Sequence, residues 1–239
     1  MQLSRNSKIS LVAFFVFDLL LAFWLIILFQ ARDEVENIHS LNALGAVEYP
    51  DPYRLTPFQL SDQDGDPFLV DNFAGRWSLV FFGFTSCPDV CPITMSELAQ
   101  AYRIITEMPD LPHPQVVFVS VDPERDSRQA VKRYVEQFST DFIGLSGSES
   151  SIGTLASQLF VAFSRVDHTD MDLVGADMDL ERAGHVSHIS ERGVIGDGYM
   201  INHNIHVSLV NPEAELVALI RPPVRRESLV QAYTLLINE

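Results

Sequence analysis

Cysteine and positive charge are both scarce in this chain of 239 residues. Cysteine occurs twice, at Cys87 and Cys91. With no third thiol, the pair forms one chemical unit that closes a disulfide or holds a soft metal ion. Lys and Arg number 16 against 32 Asp and Glu, a formal net charge of −16. A surface so short of cations repels nucleic acid; it suits cationic partners, metal cations or plain solubility. No internal repeat and no second domain are visible. No Arg- and Ser-rich leader opens the chain, which argues against an organellar transit peptide.

What is present suits a globular protein: 47% hydrophobic and 20% charged residues, in a length that allows one well-buried domain plus attachments. Ile9 to Phe29 is almost entirely apolar, and about 20 helical residues span a bilayer's hydrocarbon core. Arg5 and Lys8 precede the run; Arg32, Asp33, Glu34 and Glu36 follow it. Positive charge on the N-terminal side predicts residues 1–8 as a cytoplasmic tail and 9–29 as a single-pass anchor. Asp18 interrupts the run, either tolerated there or facing another membrane protein. The run exceeds the usual signal core of about 7–15 residues and no clean small-x-small cleavage site follows, so a retained anchor is expected. The expected location is a bacterial inner membrane, with the C-terminal domain in the periplasm. In that compartment neighbouring thiols drift to a disulfide unless reduced or metallated, so a thiol function there needs a reductant partner.

Residues 30–56 read as a linker: they are polar, carry Pro50 and Pro52, and end just before Pro57. The remainder, 57–239, reads as one α/β domain. Phe58-Gln-Leu60 and Phe68-Leu-Val70 flank a Gly/Pro/Asp turn and predict a hairpin. Ser78–Phe82 and Val116–Val121 are continuous apolar runs, expected as strands buried on both faces. Met95, Leu98, Tyr102 and Ile105 have helical spacing, as do Val131, Tyr134, Val135 and Phe138 behind a capping Ser127. A third helix is expected over about Ser151–Phe163. Ile205–Val210 and Glu215–Ile220 predict a strand pair joined by Asn211-Pro-Glu-Ala214, and Glu227–Ile237 predicts a closing helix. The alternation implies a parallel core with antiparallel strands added late.

Cys87 and Cys91 fall between a buried strand and a helix N-terminus, where the helix dipole favours thiolates. The spacing is Cys-x-x-x-Cys, one residue longer than that of common dithiol oxidoreductases. It leaves room for a third ligand on an ion held by both sulfurs. A disulfide across so short a loop contributes little chain-entropy stabilisation.

Three segments in order, Phe82-Gly-Phe-Thr-Ser-Cys-Pro-Asp-Val-Cys-Pro92, Val119-Ser-Val-Asp-Pro-Glu-Arg-Asp126 and Met200-Ile-Asn-His203-Asn-Ile, resemble the Sco/SenC family. The resemblance runs from about Pro57 to Glu239. It implies a thioredoxin-like fold, with a central mixed sheet flanked by helices and an extra N-terminal hairpin, on a membrane anchor. It implies copper bound by Cys87, Cys91 and His203. It also implies delivery of that copper to the copper centre of cytochrome c oxidase subunit II, with a copper donor and a thiol reductant as further partners. The bare chemistry agrees: two thiolates suit Cu(I), and an added imidazole suits Cu(II). Asp122, Arg125 and Asp126 are expected to brace the site through charge-assisted hydrogen bonds, and Asp89 to tune metal or partner contact.

The chain departs from the family pattern in places. Asn202 precedes His203 where the family usually has Asp, removing a charge that raises imidazole basicity. His206 lies at i+3, a competing ligand in a turn but on the opposite side in a strand. The turn at Asn211–Ala214 lacks the family's usual glycine. The stretch 167–199 looks longer than usual and carries His168, Met171, Met178, His185 and His188 among many Asp residues. It reads as a solvated acidic loop or as an auxiliary metal-collecting or docking lobe. As a metallochaperone the protein needs no bond-making catalysis, which leaves enzyme status open. The alternative is a thiol–disulfide oxidoreductase that reduces the acceptor's cysteines. A remoter alternative is a peroxiredoxin-like peroxidase, because Thr85-x-Cys87 loosely resembles that family's Thr-x-x-Cys element.

Overall fold

Two apolar runs make the centre of the sheet. β4 (Ser78–Gly83) and β5 (Gln115–Ser120) pair in parallel from Ser78↔Gln115 to Gly83↔Ser120, and every residue of both is buried. Strands buried on both faces gain from Val, Leu and Phe on each side, at about 1.5–3 kcal/mol per fully buried large side chain. The computed structural model describes residues 17–27, 40–167 and 199–237. It divides into two units, Met1–Ala43 and Leu44–Glu239. In the first, residues 17–27 are helical and exposed. No helix among the described residues is long and apolar enough to cross a membrane. The two ends of the expected 9–29 anchor lie outside the described residues.

Among the described residues the second unit holds an eight-stranded mixed sheet in the order β1 (Ala46–Arg54), β10 (Glu215–Ile220), β9 (Val207–Val210), β4, β5, β6 (Ile143–Ser146), β2 (Gln59–Asp62), β3 (Pro67–Leu69). β6 (Ile143–Ser146) continues the parallel set beyond β5. β2 (Gln59–Asp62) and β3 (Pro67–Leu69) are the expected hairpin, and β2 pairs antiparallel with β6. On the other side, β9 (Val207–Val210) runs antiparallel to β4, and β10 (Glu215–Ile220) antiparallel to β9.

One expectation is corrected at the domain's start. Residues 46–54, inside the stretch read as linker, form β1 (Ala46–Arg54), which pairs antiparallel with β10 from Ala46↔Ile220 to Arg54↔Glu215. Pro50 and Pro52 masked it. Prolines are tolerated on an edge strand, and the ladder register shifts between Glu48 and Tyr53, where they lie.

Among the described residues four helices cover this sheet: α1 (Val90–Thr106), α2 (Arg128–Glu136), α3 (Glu149–Gln158) and α4 (Arg226–Leu236). Ser127 caps α2 as expected, its hydroxyl accepting from the Ala130 amide at 3.2 Å. On one sheet face, Phe118 meets Tyr134 of α2 with ring centroids 5.0 Å apart. On the other, Val80, Phe82, Val117 and Val119 join Ile152 and Leu155 of α3 and Phe58, Phe68 and Phe73.

The helix expected to reach Phe163 stops at Gln158. Phe160 adopts a left-handed φ of 55°. The Val161 amide returns to the Ala156 carbonyl at 2.8 Å and the Phe160 amide to that of Ser157 at 3.4 Å. This is a Schellman ending with phenylalanine where glycine is usual. The chain then enters β7 (Phe163–Asp167), which pairs antiparallel with β8 (Tyr199–His203) in a separate two-stranded sheet. The long acidic stretch joins these two strands; its residues 168–198 lie outside the described residues.

Candidate metal centre

The cysteine motif occupies the crossover from β4 to α1. Cys91 lies in the first turn of α1 and is fully buried; Cys87 lies in the preceding turn and is half-buried. The pair therefore does not sit on one continuous helix. Pro92 is accommodated because the first turn needs no donor from its nitrogen. Gly83 makes the approach of helix to strand possible: a Cβ there would lie 3.0 Å from Cys91 Sγ and 3.0 Å from Phe118 Cε2.

Both thiols are free, and they share one proton unequally. A hydrogen bond from Cys91, together with the amides of Asp89, Cys91 and Val90, outweighs burial and lowers the Cys87 thiol to about 6. Donating that bond, along with burial and the neighbouring Cys87 charge, pushes the Cys91 thiol well up. The more accessible sulfur is thus the thiolate and the buried one the thiol, a division that suits nucleophilic attack and soft-metal capture alike.

Folding brings in the imidazole. His203 Nε2 lies 3.7 Å from Cys91 Sγ, across 112 residues of sequence. Its Nδ1 is 2.9 Å from the Asn204 carbonyl. A proton on Nδ1 serves that carbonyl and leaves the Nε2 lone pair facing the sulfur. Phe84 and Phe81 approach the ring edge-on, with centroids 5.9 and 6.5 Å away. Burial lowers the His203 pKa, so at neutral pH the imidazole is uncharged and able to ligate. No three His, Cys, Asp or Glu side chains among the described residues are already gathered as a metal site. His206, the competing histidine, points its Nε2 to the Leu159 carbonyl at 3.0 Å and is buried there.

The braces differ in what they hold. Asp126, buried, accepts from the Thr85 amide at 2.8 Å, the Thr85 hydroxyl at 2.6 Å and the Ser120 hydroxyl at 2.6 Å. It ties the loop after β5 to the turn before Cys87. Burial raises its pKa despite these donors. The Thr85 hydroxyl donates its proton to Asp126. Asp122 pairs with Arg125 and accepts from the Tyr199 hydroxyl at 2.7 Å. Burial and that carboxylate push the Tyr199 phenol up to about 12, keeping it a neutral donor. Asp89 is exposed and is the N-cap residue of α1 without a side-chain capping bond. Sequence reasoning missed Gly83, Phe84 and Tyr199. The two in the motif flank a strand end, and Tyr199 carried no local signal at all.

A mixed sheet flanked by helices, a dithiol between strand and helix, and an imidazole brought from a late strand to one of its sulfurs define a thioredoxin-like domain. The chain belongs to the SCO1/SenC family, whose model matches residues 50–238. It is 34% identical over 156 residues to the mouse mitochondrial SCO2 homolog, covering 65% of this chain and 51% of that protein. The chain thus spans about half the length of that relative. A Stutzerimonas stutzeri relative whose name refers to copper binding is 30% identical over 173 residues, covering 72% of this chain and 71% of the relative. The crystal structure of Arabidopsis thaliana ScoI with copper bound superposes with a TM-score of 0.61 at 30% identity, covering 77% of this chain and 97% of the other.

Proposed function

We propose that this protein is a membrane-anchored copper chaperone for cytochrome c oxidase. Copper is its cargo, held by Cys87 Sγ, Cys91 Sγ and His203 Nε2 and passed by ligand exchange to the copper centre of subunit II. The observation that carries the reading is the 3.7 Å approach of His203 Nε2 to Cys91 Sγ. An apolar core alone does not require that contact. The copper-bound Arabidopsis relative supports the metal. The donor set supports it independently, because thiolate pairs select Cu(I) and an imidazole extends the range to Cu(II). Cys87, half-buried in the turn before α1, offers the ion the more accessible thiolate. The apolar run 9–29 anchors the domain in the bacterial inner membrane, on the periplasmic side where the acceptor's copper site lies. Titration of the full chain with Cu(I) and Cu(II), followed by mixing with the apo copper domain of subunit II, tests this. One copper bound per chain and its appearance in the acceptor are expected; no binding above a Cys87→Ser/Cys91→Ser double variant would end the reading.

The unequal thiols favour a second reading. Cys87 thiolate attacks an acceptor disulfide and forms a mixed disulfide, releasing one acceptor thiolate. Cys91 then loses its proton and displaces the second, leaving a Cys87–Cys91 disulfide and a reduced acceptor. Two electrons pass, and a thioredoxin-type reductant must restore the pair. His203→Ala separates the two roles: it weakens Cu(II) binding and leaves disulfide exchange intact.

A further inference from the structure

The two-stranded sheet stands apart: among the described residues β7 and β8 pair only with each other, yet β8 ends in His203. Two strands alone are marginal in water, so contacts outside their ladder set where the imidazole sits. At one end the Asn204 side-chain amide donates to the Phe160 carbonyl, just past α3, at 3.3 Å. At the other end the contacts converge on Tyr199. Its ring lies between two guanidiniums, with Arg125 Cζ 4.0 Å and Arg165 Cζ 3.8 Å from the centroid. Its hydroxyl donates to Asp122, and its carbonyl accepts from Arg125 Nη1 at 3.3 Å. Arg165, on β7, pairs with Glu124 at 2.6 Å. The loop after β5 therefore grips both strands, Asp122 and Arg125 on β8 and Glu124 on β7.

We propose that Tyr199 is a positioning residue of the metal centre. Clamped between Arg125 and Arg165 and bonded to Asp122, it holds β8 against the loop after β5 and so sets His203 opposite Cys91. That same loop holds the turn before Cys87 through Asp126 and Thr85, so one loop aligns both halves of the site. The inference rests on His203 being a copper ligand.

The test compares full-length Tyr199→Ala, Tyr199→Phe, Arg165→Gln and His203→Ala proteins, each given one equivalent of Cu(II). Affinity is measured by chelator competition and imidazole ligation by nitrogen hyperfine structure in electron paramagnetic resonance. Loss of an outer-shell partner costs about 10–100-fold in metal affinity. Tyr199→Ala is expected to weaken Cu(II) binding in that range and to blur the nitrogen signal, with Cu(I) capture by the two sulfurs unchanged. Tyr199→Phe keeps the stacked ring and is expected to retain most of the affinity. If Tyr199→Ala leaves affinity and nitrogen signal intact while His203→Ala loses both, the clamp is overturned and the ligand stands. If His203→Ala itself matches wild type, the ligand reading falls and the clamp with it. Should Tyr199→Ala not fold, Arg165→Gln decides: several-fold weaker binding supports the clamp, and no change overturns it.

Discussion

The sulfurs of the candidate centre stand at the end of β4, in the middle of an eight-stranded sheet, whereas the imidazole stands at the end of a two-stranded ribbon. β4 is buried along its whole length and pairs with neighbours on both sides. Among the described residues β8 pairs with β7 alone, and side chains tie it to the main body. The difference suggests a division of labour. The fixed half keeps two thiols at the lip of a packed core. The ribbon half brings its imidazole to that lip through side-chain contacts with the loop after β5.

Removing ligands from each half gives the largest expected effects. His203→Ala should lower Cu(II) affinity by more than the roughly 100-fold upper range of outer-shell losses while sparing Cu(I). Cys87→Ser should lower both. Chelator competition in each oxidation state checks this, and equal losses of Cu(I) in the two variants would break the division. Next, Gly83→Ala should strike only the fixed half. Its Cβ would press on Cys91 Sγ and Phe118, and overpacking of this kind costs about 1–3 kcal/mol, measurable by urea unfolding.

The thiols should then separate by reactivity. With Cys87 lowered to about 6, thiolate, the reactive form, predominates above that pH. Alkylation of Cys87 should rise through pH 6 and level off near 7. An ordinary thiol keeps accelerating toward 9, and Cys91, with its raised pKa, should lag behind Cys87 by more than about tenfold at neutral pH. Mass-spectrometric mapping of iodoacetamide adducts across pH reads both. The smallest effect belongs to Ser127→Ala, which removes the α2 cap. About 1 kcal/mol of stability should be lost, with copper affinity unchanged.

Legibility in the sequence followed the same boundary. β4, β5, α1 and the capped α2 were readable because continuous apolar runs and 3.6-residue spacing report directly on burial. The cysteines were visible as a pair, yet their inequality was not, since it arises from which sulfur the fold buries. β1 was hidden by two prolines that an edge strand tolerates. The end of α3 was hidden because Phe160 takes a conformation that glycine usually signals. His203 was identified through family resemblance, as no local pattern links a residue to one 112 positions earlier. Tyr199 escaped notice because its role depends on two arginines that only the fold brings to its faces.

X-ray absorption at the copper edge tests the central claim most directly, using full-length protein with one equivalent of Cu(II) and its His203→Ala variant. Two sulfur scatterers and one imidazole nitrogen are expected in the wild type, with that nitrogen lost in the variant. An identical nitrogen contribution in both proteins would contradict the account.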